Sequence, residues 1–359
     1  MMSLENELIN IRRHLHKHPE LSFEEFKTQK YIVNFFCEMN CVIHTVKTGV
    51  LVYFDNNKKD TIAYRCELDA LNIKERTNAQ YKSENDYMHA CGHDGHMAIC
   101  LKLGEYINNN LDKLNNNYLL IFEHGEEKEG GAREIINDEF YLSHLPKYVF
   151  ALHLFPDLEE GKIFLKKGYF LSKSVEIDIS INGKASHVIN KELGIDALKI
   201  GADYLSNIEK RMSKIKDICY LFGTFNSGKQ RNIVSYFTTI KGTCRVFGNK
   251  SYEKVKSVLL EERERLDVEH KMITLDFNDD FVATYNDDAL VDKVKKLYPI
   301  RYIKRLYIGE SFGHYSLKSS ICYALLGIKA SPLHSDTFDF DDRVLVVGYN
   351  YFLSLLNID

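Results

Sequence analysis

The sequence predicts an α/β fold in which a layered domain around a mostly parallel sheet is interrupted by a smaller α+β domain. Short, nearly continuous apolar runs alternate with helical patterns up to about residue 170, as strands buried on both faces require. After Gly168 the texture changes, and Val175, Ile177, Ile179 and Ile181 alternate with polar residues, the signature of a strand with one wet face. With 359 residues the chain also exceeds what one simple core supports, so two domains are expected.

Each element follows in order. The opening segment reads as a helix stopped by Pro19. "SFEEFKTQKYIVNFFCEMN" reads as a second helix, with Ser22 and Glu25 at capping-box spacing and Phe26, Tyr31, Phe35 and Met39 roughly along one stripe. The strand candidates "VLVYFD", "TIAYRCELDAL", "YLLIFEHG" and "YVFALHLF" follow, separated by the helical patterns "HMAICLKLGEYINN" and "GGAREIINDEFY". The smaller domain, Leu171 to Phe281, reads as strand "SVEIDISING", helix "GIDALKIGADYLSNIEKRM", strand-like "RNIVSYFTTIKGTCRVF", charged helix "SYEKVKSVLLEERERLDVEH" and strand "KMITLDF". Two strand-helix-strand units of this size suggest an open sheet covered by helices. The tail ends on helix-like "RVLVVGYNYFLSLLN", which places the layered domain at 1–170 and 282–359, with 171–281 as an insertion.

Composition narrows the class. Apolar residues make up 45% and charged residues 27%, ordinary for a globular protein. The net charge of −4 comes from interspersed signs, so no basic face offers itself to nucleic acid or to an anionic membrane. The first residues are charged and form no signal peptide, and no run approaches the roughly 18 apolar residues of a membrane span. The expectation is a cytoplasmic protein whose eight scattered cysteines are reduced thiols, mostly buried.

"HACGHDGHM", residues 89 to 97, concentrates three histidines, a cysteine and an aspartate. Cys91 and His93 flank Gly92, whose backbone freedom lets both neighbours face one ion. Thiolate and imidazole suit zinc and similar borderline metals, and carboxylates also accept manganese or cobalt. Further candidates fall at strand ends, where α/β sheets bind ligands: Glu67 and Asp69, Glu126 and Glu127, and His153. The adjacent Glu126–Glu127 pair is explained if one coordinates a cation while the other accepts a proton from water that the cation acidifies. "RRHLHKHPE" reads as the polar face of a helix, and His44, His144 and His270 are read as without function.

Taken together, the segments "RRHLHKHPELSFEE", "AYRCELDAL", "HACGHDGHM", "IFEHGEEKEGGA", "ALHLFP", "INGKASHV", "RNIVSYFTTIKGTCR" and "LHSDTFDF" resemble, in this order, the aminoacylase/carboxypeptidase family of dinuclear-metal amidohydrolases in its hippurate hydrolase branch. The resemblance implies a three-layer, zinc-peptidase-like catalytic domain and a ferredoxin-like lid or dimerisation domain. It implies two divalent metal ions per subunit (Zn, Mn, Co or Ni) on Cys91, His93, Glu127, His153 and His334, with Glu126 as general base. Asp69 would orient a ligand, His187 would stabilise the oxyanion, often from a partner subunit, and Asn232 and Arg245 would grip the substrate carboxylate. The implied partners are a small-molecule N-acyl amino acid and a second copy in a homodimer, with neither nucleic acid nor membrane.

Within the branch, "ASHVINKELGIDAL" is most similar to bacterial N-acetyldiaminopimelate deacetylases. That implies release of acetate from N-acetyl-LL-2,6-diaminopimelate in lysine and diaminopimelate biosynthesis. A broader N-acyl-amino-acid amidohydrolase and a silent scaffold are the alternatives, the second disfavoured because the base and ligands are intact. Three departures stand out: Glu67 replaces an aspartate, "EHG" brings Glu123 and His124 where the family has Gln-Pro-Ala, and Ser311 replaces an acid.

Overall fold

The apolar runs lie side by side in an eight-stranded sheet. Its order is Val42–Val46, Gly49–Phe54, Asn117–Glu123, Thr61–Glu67, Tyr148–Phe155, Ser320–Gly327, Ile163–Leu165 and Ile300–Tyr302. The computed structural model describes residues 2–128, 130–267, 272–278 and 281–359, and His270 lies outside them. The four central strands of the sheet run parallel, while the pairings toward the edges are mixed.

Every residue of Thr61–Glu67 and Asn117–Glu123 is buried. Side chains alternate between faces. Tyr64, Tyr118, Leu120, Phe122, Phe150 and Leu152 share one core with Met97, Ile99 and Leu103 of the helix His93–Asn110. Leu119, Ile121, Val149 and Ala151, equally buried, point to the opposite face. A sheet covered on both sides is the three-layer architecture. Parallel pairing gathers the carboxyl ends of the central strands at one edge, where Glu67 lies in register with Glu123.

The chain divides into two compact units: Met1–Phe170 with Thr284–Arg305 and Ser311–Asp359, and Leu171–Ala283 with Leu306–Glu310. The second unit holds an antiparallel sheet in the order Ile273–Asn278, Lys173–Asn182, Phe237–Val246, Ile218–Ser227. Val175, Ile177, Ile179 and Ile181 turn one face of this sheet into a core with Tyr204 and Ile208 of Ala197–Met212 and with Val255 and Leu259 of Asn249–Leu266. This is the ferredoxin-like βαββαβ order. Among the described residues no helix is long and apolar enough to cross a membrane.

Several local readings need correction. Ser22 and Glu25 form no capping box: the helix begins at Phe26 with no cap from Glu25, and Glu20 accepts from the amides of Lys27 and Thr28 instead. Ser22 instead donates to Asp69, and Glu25 accepts from the amide of Gly125. The stripe is displaced too, since Phe26 is exposed and the buried positions are Thr28, Ile32 and Phe36. "GGAREIINDEFY" breaks into Ala132–Ile135 and Glu139–Ser143 because the Asp138 side chain caps a new start at Phe140 and Tyr141. Strand Ile218–Ser227 lies at an edge of its sheet and is largely solvated, which left it without the apolar signal used above.

The largest correction concerns "RRHLHKHPE". Arg12 and His16 are fully buried. Arg12 reaches Asp94 at 2.8 Å, Asp342 at 2.9 Å and Asp339 at 3.0 Å. His16 Nδ1 bonds Asp94 at 2.7 Å and its Nε2 lies 3.4 Å from Glu75. These ion pairs tie the first helix to the start of His93–Asn110.

Burial works against the charge on His16, yet Asp94 and Glu75 raise its pKa above 6.5. Burial likewise disfavours the Glu75 carboxylate, but His16, Thr77 and Ser83 bring it from 4.5 to about 2. The His16 contribution is therefore complete below pH 6.5 and is lost as pH rises through its raised folded value. The Glu75 contribution is complete above pH 4.5 and is lost as pH falls through about 2. Glu75→Gln should lower Tm by a few degrees, on the order of 1–2 kcal/mol, between pH 4.5 and 6.5. Thermal melts across pH should show that deficit shrinking at both ends; a constant deficit would mean the pair is not ionised.

Candidate metal centre

Helix His93–Asn110 starts at Gly92 in the left-handed region with φ 88°, and a β-carbon there would meet Leu154 Cδ1 at 3.0 Å. This turn sends Cys91 and His93 toward the same point. His93 Nδ1 lies 2.9 Å from the carbonyl oxygen of Asp69, an acceptor that fixes the ring proton on Nδ1. Its Nε2 is buried without a hydrogen-bond partner. On strand Tyr148–Phe155, His153 Nδ1 donates to the Leu154 carbonyl at 2.7 Å, leaving an Nε2 lone pair 3.4 Å from Cys91 Sγ. Backbone acceptors thus orient both imidazoles, the arrangement that prepares histidine as a ligand.

Glu127 completes the inner group. Its Oε1 lies 3.9 Å from His93 Nε2 and 3.3 Å from His334 Nε2, and no hydrogen bond reaches it. His334 takes a left-handed backbone, φ 63°, with its amide bonded to the Ala90 carbonyl at 2.9 Å. The donor atoms of three sets, Cys91–His93–His153, Cys91–Glu127–His334 and His93–Glu126–Glu127, each lie within 4.8 Å of one another. Because the sets share members, all six side chains surround one small volume. Asp69 braces it: Oδ2 accepts from Ser22 at 2.7 Å and from the Glu127 amide at 2.9 Å.

The electrostatics show what the cluster wants. Burial, then Glu127 and Glu126, push the Cys91 thiol far above its ordinary pKa. Burial, then His96, keep the His153 imidazole neutral. Burial opposes the His93 cation, but Asp69, Glu67 and Glu127 together raise its pKa to about 10. Glu127 Oε1 and Asp69 Oδ1, buried carboxylate oxygens without a hydrogen-bond partner, call for compensating positive charge. A sulfur, three imidazoles and carboxylates of this softness fit divalent zinc-like cations.

His96 also stands in the signature and within reach of Glu67 and His93. Both its nitrogens are committed, Nδ1 to Glu67 at 2.7 Å and Nε2 to the Leu154 amide at 2.9 Å. It is therefore a support and not a ligand. Ser22, Glu25, Arg65 and His96 are the site residues that sequence reasoning missed. The signal for the first two was present, but it was spent on a helix cap.

In the second unit, His187 Nε2 lies 3.3 Å from Asn232 Nδ2, and the Val188 amide bonds the Asn232 carbonyl. The structure brings these two together, both exposed. Arg245 sits elsewhere on the sheet, paired in register with Ser174 and so close to Gly309 that a β-carbon there would meet its Nη1 at 2.7 Å.

The sequence profile of peptidase family M20/M25/M40 matches residues 63–358. The chain belongs to this family. The match spans Asp69, Cys91, His93, Glu126, Glu127, His153, His187, Asn232, Arg245 and His334. Among relatives, an N-acetyldiaminopimelate deacetylase of Priestia megaterium is 31% identical over 326 residues, covering 86% of each chain. An uncharacterized hydrolase of Staphylococcus saprophyticus is 30% identical over 96% of this chain and 95% of its own. A dinuclear metal binding peptidase from the M20 family of Bacillus subtilis superposes with a TM-score of 0.86 at 26% identity, covering 98% of this chain and 97% of its own. The likeness read from the sequence motifs holds at the level of family and fold.

Proposed function

We propose that this M20 hydrolase removes acetate from N-acetyl-LL-2,6-diaminopimelate, releasing LL-2,6-diaminopimelate in the cytoplasm. The observation that carries the chemistry is the convergence of Cys91, His93, Glu127, His153 and His334 beside a further carboxylate, Glu126. The five would hold two divalent cations of the Zn, Mn, Co or Ni class. Such cations, when bound, polarise the amide carbonyl and lower the pKa of water. Glu126 takes the proton of the attacking water and returns it to the leaving amine. Asp69 holds His93 through its carbonyl and Glu127 through its carboxylate, keeping both ligands aimed.

His187 donates to the developing oxyanion, and Asn232 and Arg245 bind the carboxylate of the substrate. The second unit serves as lid and dimerisation domain. Its solvated edge strand Ile218–Ser227, with Leu221 and Phe225 exposed, suits pairing in a homodimer in which His187 acts from the partner.

The choice of acyl amino acid rests on the relatives that carry the deacetylase name. Acetate release measured side by side on N-acetyl-LL-diaminopimelate, hippurate and other acyl amino acids tests it. A kcat/KM at least about tenfold higher for the first is expected, which is a transition-state preference of about 1.4 kcal/mol. Equal turnover would assign the broader amidohydrolase activity instead.

A further inference from the structure

Glu67, Glu123 and Ser311 meet on one buried cation. Arg65, fully buried, places Nε 2.7 Å from Glu123 Oε2 and Nη2 2.7 Å from Ser311 Oγ, and its Nη1 bonds Glu67. Ser311 donates in turn to Glu123 Oε1. The Tyr315 hydroxyl at 3.0 Å and the Ala132 amide at 2.9 Å also point at Glu123. Four donors therefore converge on Glu123, a set that the ionised carboxylate satisfies and a neutral amide does not. A carboxylate at position 311 would touch the same guanidinium that Ser311 touches now.

From Arg65 the contacts run on to the metal cluster. Glu67 Oε2 accepts from His96 Nδ1 at 2.7 Å, His96 Nε2 accepts from the Leu154 amide at 2.9 Å, and the Leu154 carbonyl accepts from His153 Nδ1 at 2.7 Å. A single peptide unit later, the path that began at Glu123 has reached a candidate ligand. Every side chain along it is buried.

We infer that Glu123 is a positioning residue for the metal centre, and that it supplies from the strand Asn117–Glu123 the carboxylate that fixes Arg65. One acid is needed on this face of Arg65, and either position provides it. With the acid in place Arg65 is fixed, Glu67 is aimed at His96, and the Leu154 peptide holds the His153 ring. The inference rests on the metal reading above but not on the choice of substrate.

The test titrates zinc into metal-stripped full-length protein against a competing chromophoric chelator, with Tm recorded for each variant. Glu123→Gln should weaken zinc binding by roughly 10- to 100-fold, the usual cost of losing a partner behind a ligand. Ser311→Asp alone crowds two carboxylates and should also weaken it. The double variant Glu123→Gln, Ser311→Asp should return to within about threefold of wild type, the non-additivity expected of a shared partner. Wild-type affinity in Glu123→Gln, or a double variant no better than the single one, overturns the inference, as does a lowered Tm with unchanged affinity. If Glu123→Gln does not fold, a folded double variant with near-normal affinity supports the exchange, and an unfolded one overturns it. Failure of the substrate proposal would show separately, as wild-type zinc binding without acetate release.

Discussion

Glu126→Gln should reduce hydrolysis of N-acetyl amides by two to four orders of magnitude, the usual weight of a positioned general base, while leaving metal content near that of wild type. The two neighbouring glutamates differ in their surroundings. Glu127 Oε1 lies between His93 and His334 and belongs to two of the ligand sets. Glu126 joins only the set with His93 and Glu127, so its loss leaves sulfur, imidazoles and one carboxylate in place. Glutamine keeps the size of the side chain and cannot accept a proton. The turn that presents Glu126 is rigid: Gly125 has φ 64°, its amide is held by Glu25 at 2.8 Å, and the Phe23 ring would lie 2.6 Å from any β-carbon placed there. The variant should consequently change proton transfer and little else. Elemental analysis with kcat/KM on the same preparation checks both halves. Surviving turnover would remove Glu126 from its assigned role, and loss of metal would make it a ligand.

The parts of the fold that were legible in the sequence are those whose burial is local. Runs such as "YVFALHLF" are apolar at every position except His153 because both faces of the strand are covered, and that shows without any partner in view. The candidate cluster was legible for a similar reason: Cys91 and His93 flank one glycine, and Glu126 and Glu127 are adjacent. What stayed hidden was decided by distant partners. Arg12 looked like a solvated face until Asp94 and Asp342 arrived from 82 and 330 residues away. Ser22 and Glu25 had the spacing of a cap, yet Asp69 and Gly125, 47 and 100 residues on, claimed them. His96 shares its signature with the ligands, and only Glu67 and the Leu154 amide reveal that its nitrogens are taken. Sequence spacing names the donors; the three-dimensional environment assigns each lone pair.

Stripping the cations should abolish turnover and lower Tm, and zinc affinity should climb steeply with pH. Free cation at a thousandfold above Kd stabilises a fold that binds it by about 4 kcal/mol, so apo and loaded protein should melt several degrees apart. The pH dependence follows from the protons the cations must displace. His93 is held to about 10 by Asp69, Glu67 and Glu127 against the opposing effect of burial, so at pH 7 its Nε2 carries a proton. Cys91 is a thiol for the same pH range because burial and the two glutamates oppose its charge. Binding at both must release about two protons, while neutral His153 releases none. Apparent affinity should then rise by up to about a hundredfold per pH unit between pH 6 and 8, with the sign set by deprotonation of ligands. Calorimetry in buffers of different ionisation enthalpy counts the protons directly. Cys91→Ala should release about one fewer, and so should His93→Ala. Zinc binding that is indifferent to pH over this range would place the cations on other groups, because no ligand set containing Cys91 and His93 can load without losing those protons.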